Sequence, residues 1–238
     1  MKIAIVGYGK MGKAIEEIAL ERGHEIVLKI DSKNTDIFTI EHIKKADVCI
    51  EFSTPNTAFE NIKKCLEAKV PSISGSTAWL EKLEETKQIC TINDTAFLYA
   101  SNFSVGVNLF FKINEYVAKL MHNHSEYKVS MEEIHHTAKK DAQSGTAVTL
   151  AEDILRNYNH LTSWKNEKNS AENELSIVSK RIDPAPGTHA IFYDSNIDSI
   201  EIKHTAHSRK GFAIGAVLAA EFIFGKKGIY TMQDVLEV

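Results

Sequence analysis

The chain has 238 residues, with 28 Lys and Arg against 32 Asp and Glu, for a formal net charge of -4. That length can bury a substantial core in one large domain or two modest ones, and the charge leaves no basic field for a nucleic acid, so a charged ligand must be met locally. Cys49, Cys65 and Cys90 are isolated, without CxxC spacing, which argues against a disulfide framework or a cysteine metal site.

Met1 leads straight into an apolar run over residues 2–6 that reads as a strand and leaves no room for a signal peptide. Gly7-Tyr8-Gly9-Lys10-Met11-Gly12 follows at once, and then a helical pattern through Leu20. This is the dinucleotide fingerprint in its required context: Gly7 for the tight turn, Gly9 for close approach of backbone to pyrophosphate, Gly12 for helix packing. A second strand over residues 25–30 ends in Asp31, nineteen residues after Gly12, where a carboxylate can accept hydrogen bonds from the ribose hydroxyls of NAD. Such a carboxylate repels a 2'-phosphate, yet Lys33 could attract one, so NAD is favoured and NADP stays open.

Strands are expected over residues 47–52, 72–73 and 97–98, separated by helices near residues 57–68 and 79–90. The alternation predicts a doubly wound parallel sheet. Its strand ends run into the polar turns Phe52-Ser-Thr-Pro-Asn56 and Ile73-Ser-Gly-Ser-Thr77, which should border the cofactor and bring in Gly75, Ser76 and Thr77. Cys49, inside an apolar run, reads as a buried thiol.

A long apolar helix is predicted over residues 105–121. Residues 126–134 then carry Tyr127, Val129 and Met131 at spacing two, the mark of a half-buried strand, and residues 147–155 repeat apolar positions at helical spacing, with Ser144 or Thr146 able to cap the first turn. The connection between them holds His135, His136, Lys139, Lys140 and Asp141 before Ser144-Gly145-Thr146. Cationic groups facing a helix N-terminus suit a carboxylate ligand; the plainer alternative is two strand-end histidines and a solvated loop. Continued extended geometry would send His135 and His136 to opposite faces, so the chain must bend for both to reach one ligand. No metal is expected, because Lys139 and Lys140 would repel a cation beside the histidine pair. His122 and His124 read as solvated helix-end residues, and His24 and His42 as surface residues.

Residues 157–173 are polar and read as a surface loop, residues 175–204 as strand-rich, and residues 212–225 as a helix returning to the first domain, with Gly211 and Gly215 allowing close packing. The apolar stretch at 213–224 is too short to span a bilayer and contains Glu221, so a cytoplasmic protein with no membrane partner is expected. The fold class is α/β: a Rossmann-type doubly wound parallel sheet in residues 1–103 and 212–238, and a second α+β domain in residues 104–211 for substrate binding and oligomerisation.

Five blocks in order, Gly7 to Gly12, Gly75-Ser-Thr77, Ala100-Ser101-Asn102-Phe103-Ser-Val-Gly-Val-Asn108, the run from Glu133 to Thr146, and Ser208-Arg209 with Phe212, resemble the dihydrodipicolinate reductase family of bacterial lysine biosynthesis over nearly the whole chain. The resemblance implies hydride transfer from NADH or NADPH to the ring of a cyclic dicarboxylate, giving tetrahydrodipicolinate after loss of the 4-hydroxyl as water. It implies His135 as proton donor or acceptor, Lys139 as a second proton donor, His136 as a substrate contact, and Gly145 and Thr146 as donors to a substrate carboxylate. Ala100, Ser101, Asn102 and Phe103 join the cofactor residues on the same ground, and a homotetramer is implied through the second domain's sheet. Pro184-Ala-Pro-Gly-Thr-His-Ala190 departs from the family's Gly-Glu-His-Thr hairpin, and His189 is assigned no role. Rival readings are another two-domain dehydrogenase, for which the Glu-Lys-Pro signature of the sugar group is missing, and a nucleotide sensor, which would need no paired proton donors.

Overall fold

The computed structural model describes residues 1–137, 143–168, 171–208 and 210–238. In chain order the elements are β1 (Lys2–Val6), α1 (Lys10–Glu21), β2 (Glu25–Ile30), α2 (Ile40–Ile43), β3 (Val48–Glu51), α3 (Pro55–Glu67), β4 (Ser72–Ser74), α4 (Leu83–Ile92), β5 (Ala96–Tyr99), α5 (Val105–Met121), β6 (Lys128–His135), α6 (Gly145–Asn157), β7 (Ser163–Lys165), β8 (Glu174–Arg181), β9 (Gly187–Asp194), β10 (Ser199–Ala206), α7 (Lys210–Ile223), β11 (Gly228–Tyr230) and α8 (Met232–Leu236). They divide into two compact units, Met1–Val105 with Lys210–Val238, and Gly106–Arg209.

The first unit is a six-stranded sheet of order β11-β5-β4-β3-β1-β2, with every pairing parallel. Parallel strands covered on both faces read as near-continuous apolar runs, as β1 does from Ile3 to Val6 and β3 from Val48 to Ile50. Ile3, Ile5 and Ile50 enter the core shared with α1 and α7, while Ala4, Val6 and Cys49 enter the opposite one. The order reverses at β1, between β2 and β3, so the loop after β1 opens at the switch point where such sheets bind ligands. α7 returns the chain to this unit through Ala213, Ala216, Val217 and Ala220. Gly215 permits it: a Cβ there would lie 1.6 Å from the Phe103 carbonyl oxygen. Glu221 of α7 takes both Arg22 Nε and Nη2 at 2.8 Å and His24 Nε2 at 2.7 Å. His24 is therefore no free surface group; this pairing leaves its side chain only 12% exposed. His42 is half-buried, its Nδ1 3.0 Å from Thr39 Oγ1.

The second unit is a mixed sheet of order β10-β9-β6-β8-β7, in which β6 pairs parallel with β8 and antiparallel with β9. Phe110 and Ala118 of α5 and Leu150, Ala151 and Ile154 of α6 pack with Met131, Ile177, Ile191 and Tyr193. The expected loop over residues 157–173 contains β7, which pairs parallel with β8, because Trp164 has that core to pack against. Its polar neighbours hide a three-residue strand from any periodicity argument.

Candidate active site

In the first unit the glycines of the fingerprint differ in what surrounds them. Gly7 has φ +94°, and a Cβ there would meet the Phe52 carbonyl oxygen at 2.2 Å. At Gly12 a Cβ would lie 2.6 Å from Gly7 O, whereas at Gly9 nothing stands within 4 Å. Backbone is thus crowded at the first and third glycines and open at the second, which caps α1 and is exposed. Lys10 and Met11 begin α1. The Tyr8 hydroxyl donates to Glu16, and Lys29 Nζ sits 5.0 Å from the Tyr8 ring centroid and 3.2 Å from Glu16. Gly7, Tyr8, Gly9 and Asp31 line one cleft of about 470 Å³, with Phe52, Ser53 and Asn61 opposite. Asp31 is set by an Asx turn: its N–H donates to Asn34 Oδ1 at 2.8 Å, and its Oδ1 accepts from Lys33 N at 2.7 Å.

Glu51, at the end of β3, is a buried carboxylate that the sequence reading passes over inside an apolar run. It accepts from Ser53 N at 2.7 Å, Ser74 Oγ at 2.6 Å and Ser76 Oγ at 2.9 Å, and from the Ser53 hydroxyl. One buried side chain thereby ties together the turns after β3 and β4. Gly75 is held against the Phe52 ring, 2.2 Å from where its Cβ would stand, and Thr77 is exposed. After β5, buried Ala100 donates from its N–H to Ser74 O at 3.2 Å, Ser101 is exposed, Asn102 Oδ1 accepts from Ser104 N at 2.9 Å, and buried Phe103 lies 5.5 Å from the Phe52 ring.

In the second unit β6 ends at His135, which is buried, while His136 is outside the strand and half-exposed. Past the strand end the chain stays tied to the segment after β8: Thr137 N and Oγ1 both donate to Asp183, and Ile182 N donates to His135 O. Ser144, not Thr146, caps α6, its Oγ accepting from Ala147 N at 3.1 Å. Gly145 is exposed and Thr146 half-buried in the first turn. Lys139, Lys140 and Asp141 lie outside the described residues.

Between His135 and Ser144 stands Glu133, whose side chain is wholly buried. It accepts from Ser144 N at 3.1 Å and Ser179 Oγ at 2.8 Å, and its Oε2 lies 3.4 Å from His135 Nδ1 and 3.7 Å from His189 Nε2. Burial alone would push this carboxyl up; the His189 imidazole beside it and the hydrogen bonds from Ser144 and Ser179 together outweigh it and hold the pKa down to about 2. His189, given no role from sequence, is buried in the middle of the cluster. Its signal was the alternation in Thr188-His189-Ala190-Ile191-Phe192-Tyr193, which puts it on the face of buried Ile191 and Tyr193. Glu133, His135 and His189 offer ligand atoms all within 4.8 Å, a grouping that the expectation of no metal did not foresee. The Arg181 guanidinium, 3.8 Å from Glu133 Oε1, opposes a cation there, and the carboxylate's acceptor capacity is taken up by N–H and O–H donors. The donor set is that of a hydrogen-bonded carboxylate–imidazole cluster.

Among the described residues no helix is long and apolar enough to cross a membrane. The model of dihydrodipicolinate reductase, N-terminus, matches residues 1–103, and that of its C-terminus matches residues 106–236. A 4-hydroxy-tetrahydrodipicolinate reductase of Christiangramia forsetii is 48% identical over 99% of this chain and 98% of its own length. One of Thermosipho africanus is 33% identical over 100% and 98%. The dipicolinate-bound dihydrodipicolinate reductase from Paenisporosarcina sp. TG-14 shares the fold, with a TM-score of 0.78 at 23% identity over 98% of each chain. The first unit is a nucleotide-binding domain, and the chain as a whole belongs to the dihydrodipicolinate reductase family.

Proposed function

We propose that this protein reduces 4-hydroxy-tetrahydrodipicolinate to tetrahydrodipicolinate in lysine and diaminopimelate biosynthesis, with NADH or NADPH as reductant. The observation that carries the reading is the 48% identity to a reductase of that name across nearly the whole chain, with the family's C-terminal model spanning the His135 to Thr146 segment. In the balanced reaction the 4-hydroxyl leaves with a proton as water, and a ring carbon gains a hydride. His135 and Lys139 handle the proton. His136, Gly145 and Thr146 hold a carboxylate of the cyclic substrate, helped by the N–H groups and partial positive charge at the start of the thirteen-residue α6.

The cofactor residues fit a dinucleotide: open space above Gly9 admits a pyrophosphate to the backbone, and Asp31 borders the same cleft. Gly7 to Gly12 with Asp31 would hold its adenosine and phosphates, and Gly75 to Thr77 and Ala100 to Phe103 its nicotinamide half. When bound, the reduced nicotinamide supplies the hydride. The second unit is the substrate and assembly domain of a cytoplasmic homotetramer; exposed Leu109, Ile113, Tyr116 and Leu120 run at helical spacing along α5, and Ile200 is exposed on edge strand β10, apolar surface that further copies would cover.

Purified protein is mixed with freshly prepared hydroxy-tetrahydrodipicolinate, and the near-ultraviolet absorbance of NADH or NADPH is followed. Consumption of either with formation of tetrahydrodipicolinate is expected, and an inert protein with both overturns the reading. His135→Gln should lose roughly 10² to 10⁴ in turnover while nucleotide affinity stays intact.

A further inference from the structure

We infer that Glu133 and His189 are positioning residues that set His135 and the first turn of α6 from a single buried carboxylate. The sheet register builds the device. β9, β6 and β8 are neighbours, and His189, Glu133 and Ser179 stand directly opposite one another across the three strands. Residues two apart share a face, so Glu133 and His135 project to the same side. His135 pairs with Arg181 on one flank; on the other, a Cβ at Gly187 would meet His135 Nε2 at 3.2 Å, so the glycine leaves room for that edge of the ring.

Glu133 reaches both halves of the site. Its Oε2 is 3.4 Å from His135 Nδ1, and its two oxygens accept from Ser144 N at 3.1 and 3.3 Å. Ser144 Oγ is in turn 3.0 Å from His189 Nε2 while it caps Ala147 N. The N-cap is thus pinned through both its N–H and its hydroxyl, which aims the N–H groups of Gly145 and Thr146. A buried anion requires donors around it, and an imidazole beside a carboxylate presents its N–H to it. Glu133 therefore favours the His135 tautomer protonated at Nδ1, which puts the basic lone pair on Nε2, at the ring edge beside Gly187. Contacts of this kind are often long without ligand and shorten in the complex. The kinetic consequence rests on the reaction proposed above; the tautomer does not.

The test has two arms. In the first, spectra of isotope-labelled imidazole nitrogens are recorded for the wild-type protein and for Glu133→Gln, without substrate. His135 should carry its proton on Nδ1 in the wild type and lose that preference in the variant. In the second arm, Glu133→Gln and His189→Leu should each lower kcat by about 10- to 100-fold and raise the Michaelis constant for the dicarboxylate, with the dissociation constant for NADH unchanged. His189→Gln, which keeps an amide donor toward Glu133 and Ser144, should recover most of what His189→Leu loses. A purely structural role would lower the melting temperature without separating kcat from nucleotide binding, and without rescue by glutamine. A wild-type His135 protonated on Nε2 overturns the inference, as do folded variants with kcat and KM within about twofold of wild type. If Glu133→Gln does not fold, the wild-type tautomer and the His189 pair decide. If the wild type reduces nothing, the proposed reaction falls while the spectra still judge the positioning role.

Discussion

Asp31 shows how a single side chain can be oriented before any ligand arrives. Lys33 N holds one of its oxygens at 2.7 Å, and Asn34 holds its own N–H. A carboxylate so placed accepts from ribose hydroxyls and repels a 2'-phosphate, so NADH should serve at least as well as NADPH. Asp31→Ala should weaken NADH more than NADPH; an NADPH selectivity of the wild type beyond about tenfold, or ~1.4 kcal/mol, contradicts this. Asp153 carries a different consequence. Burial, opposed by the Arg156 guanidinium, pushes its carboxyl from an ordinary 3.8 up to about 6. A raised folded-state value means that its contribution to stability is complete below about pH 3.8 and is lost as pH rises through about 6. Asp153→Asn resembles the protonated form. Its stability relative to wild type, read from melting curves, should therefore climb between those values and level off above, by on the order of 3 kcal/mol at neutral pH. A difference that does not change with pH refutes the assignment.

At the scale of elements, the β1–α1 turn separates folding from binding glycine by glycine. Gly12→Ala drives a Cβ to 2.6 Å from Gly7 O and should destabilise the unliganded protein by roughly 1–3 kcal/mol. Gly9→Ala meets nothing within 4 Å, so it should melt near the wild type yet lose nucleotide affinity, because the methyl group occupies the approach to the pyrophosphate. Thermal melts without ligand and nucleotide titrations on both variants check the pair; equal melting losses would remove the distinction. Both glycines were legible from spacing alone, since the fingerprint encodes a backbone path. Glu51 was not: an acidic residue inside a strand-like apolar run has no local mark, and only parallel pairing of β3 with β4 brings Ser74 and Ser76 to it.

At the scale of the whole molecule, the chain leaves its first unit after β5 and re-enters it with α7, so the nucleotide-binding unit is closed by residues more than a hundred positions apart. The homotetramer that the family resemblance implies, with the apolar stripe on α5 and the exposed edge of β10 as surface for further copies to cover, gives an expected solution mass four times that of the chain. Light scattering after size exclusion measures it, and a monomer over the micromolar range contradicts it.

Sequence by itself determined the parallel sheet, the glycine turn and the place of His135, because apolar periodicity, glycine spacing and strand-to-helix handover are properties of neighbours along the chain. The extent of α5 was likewise readable from one uninterrupted apolar helix. Tertiary structure alone decided what surrounds His135. Glu133, Ser179 and His189 span more than fifty residues of sequence and meet only through the register of three strands, and Ser144 joins them only because α6 begins where it does. His24 and β7 departed from expectation for the same reason: their partners, Glu221 and the core beneath Trp164, are distant in sequence. A buried charge is defined by the donors that surround it, and those are chosen by strand pairing rather than by the residues beside it in the chain.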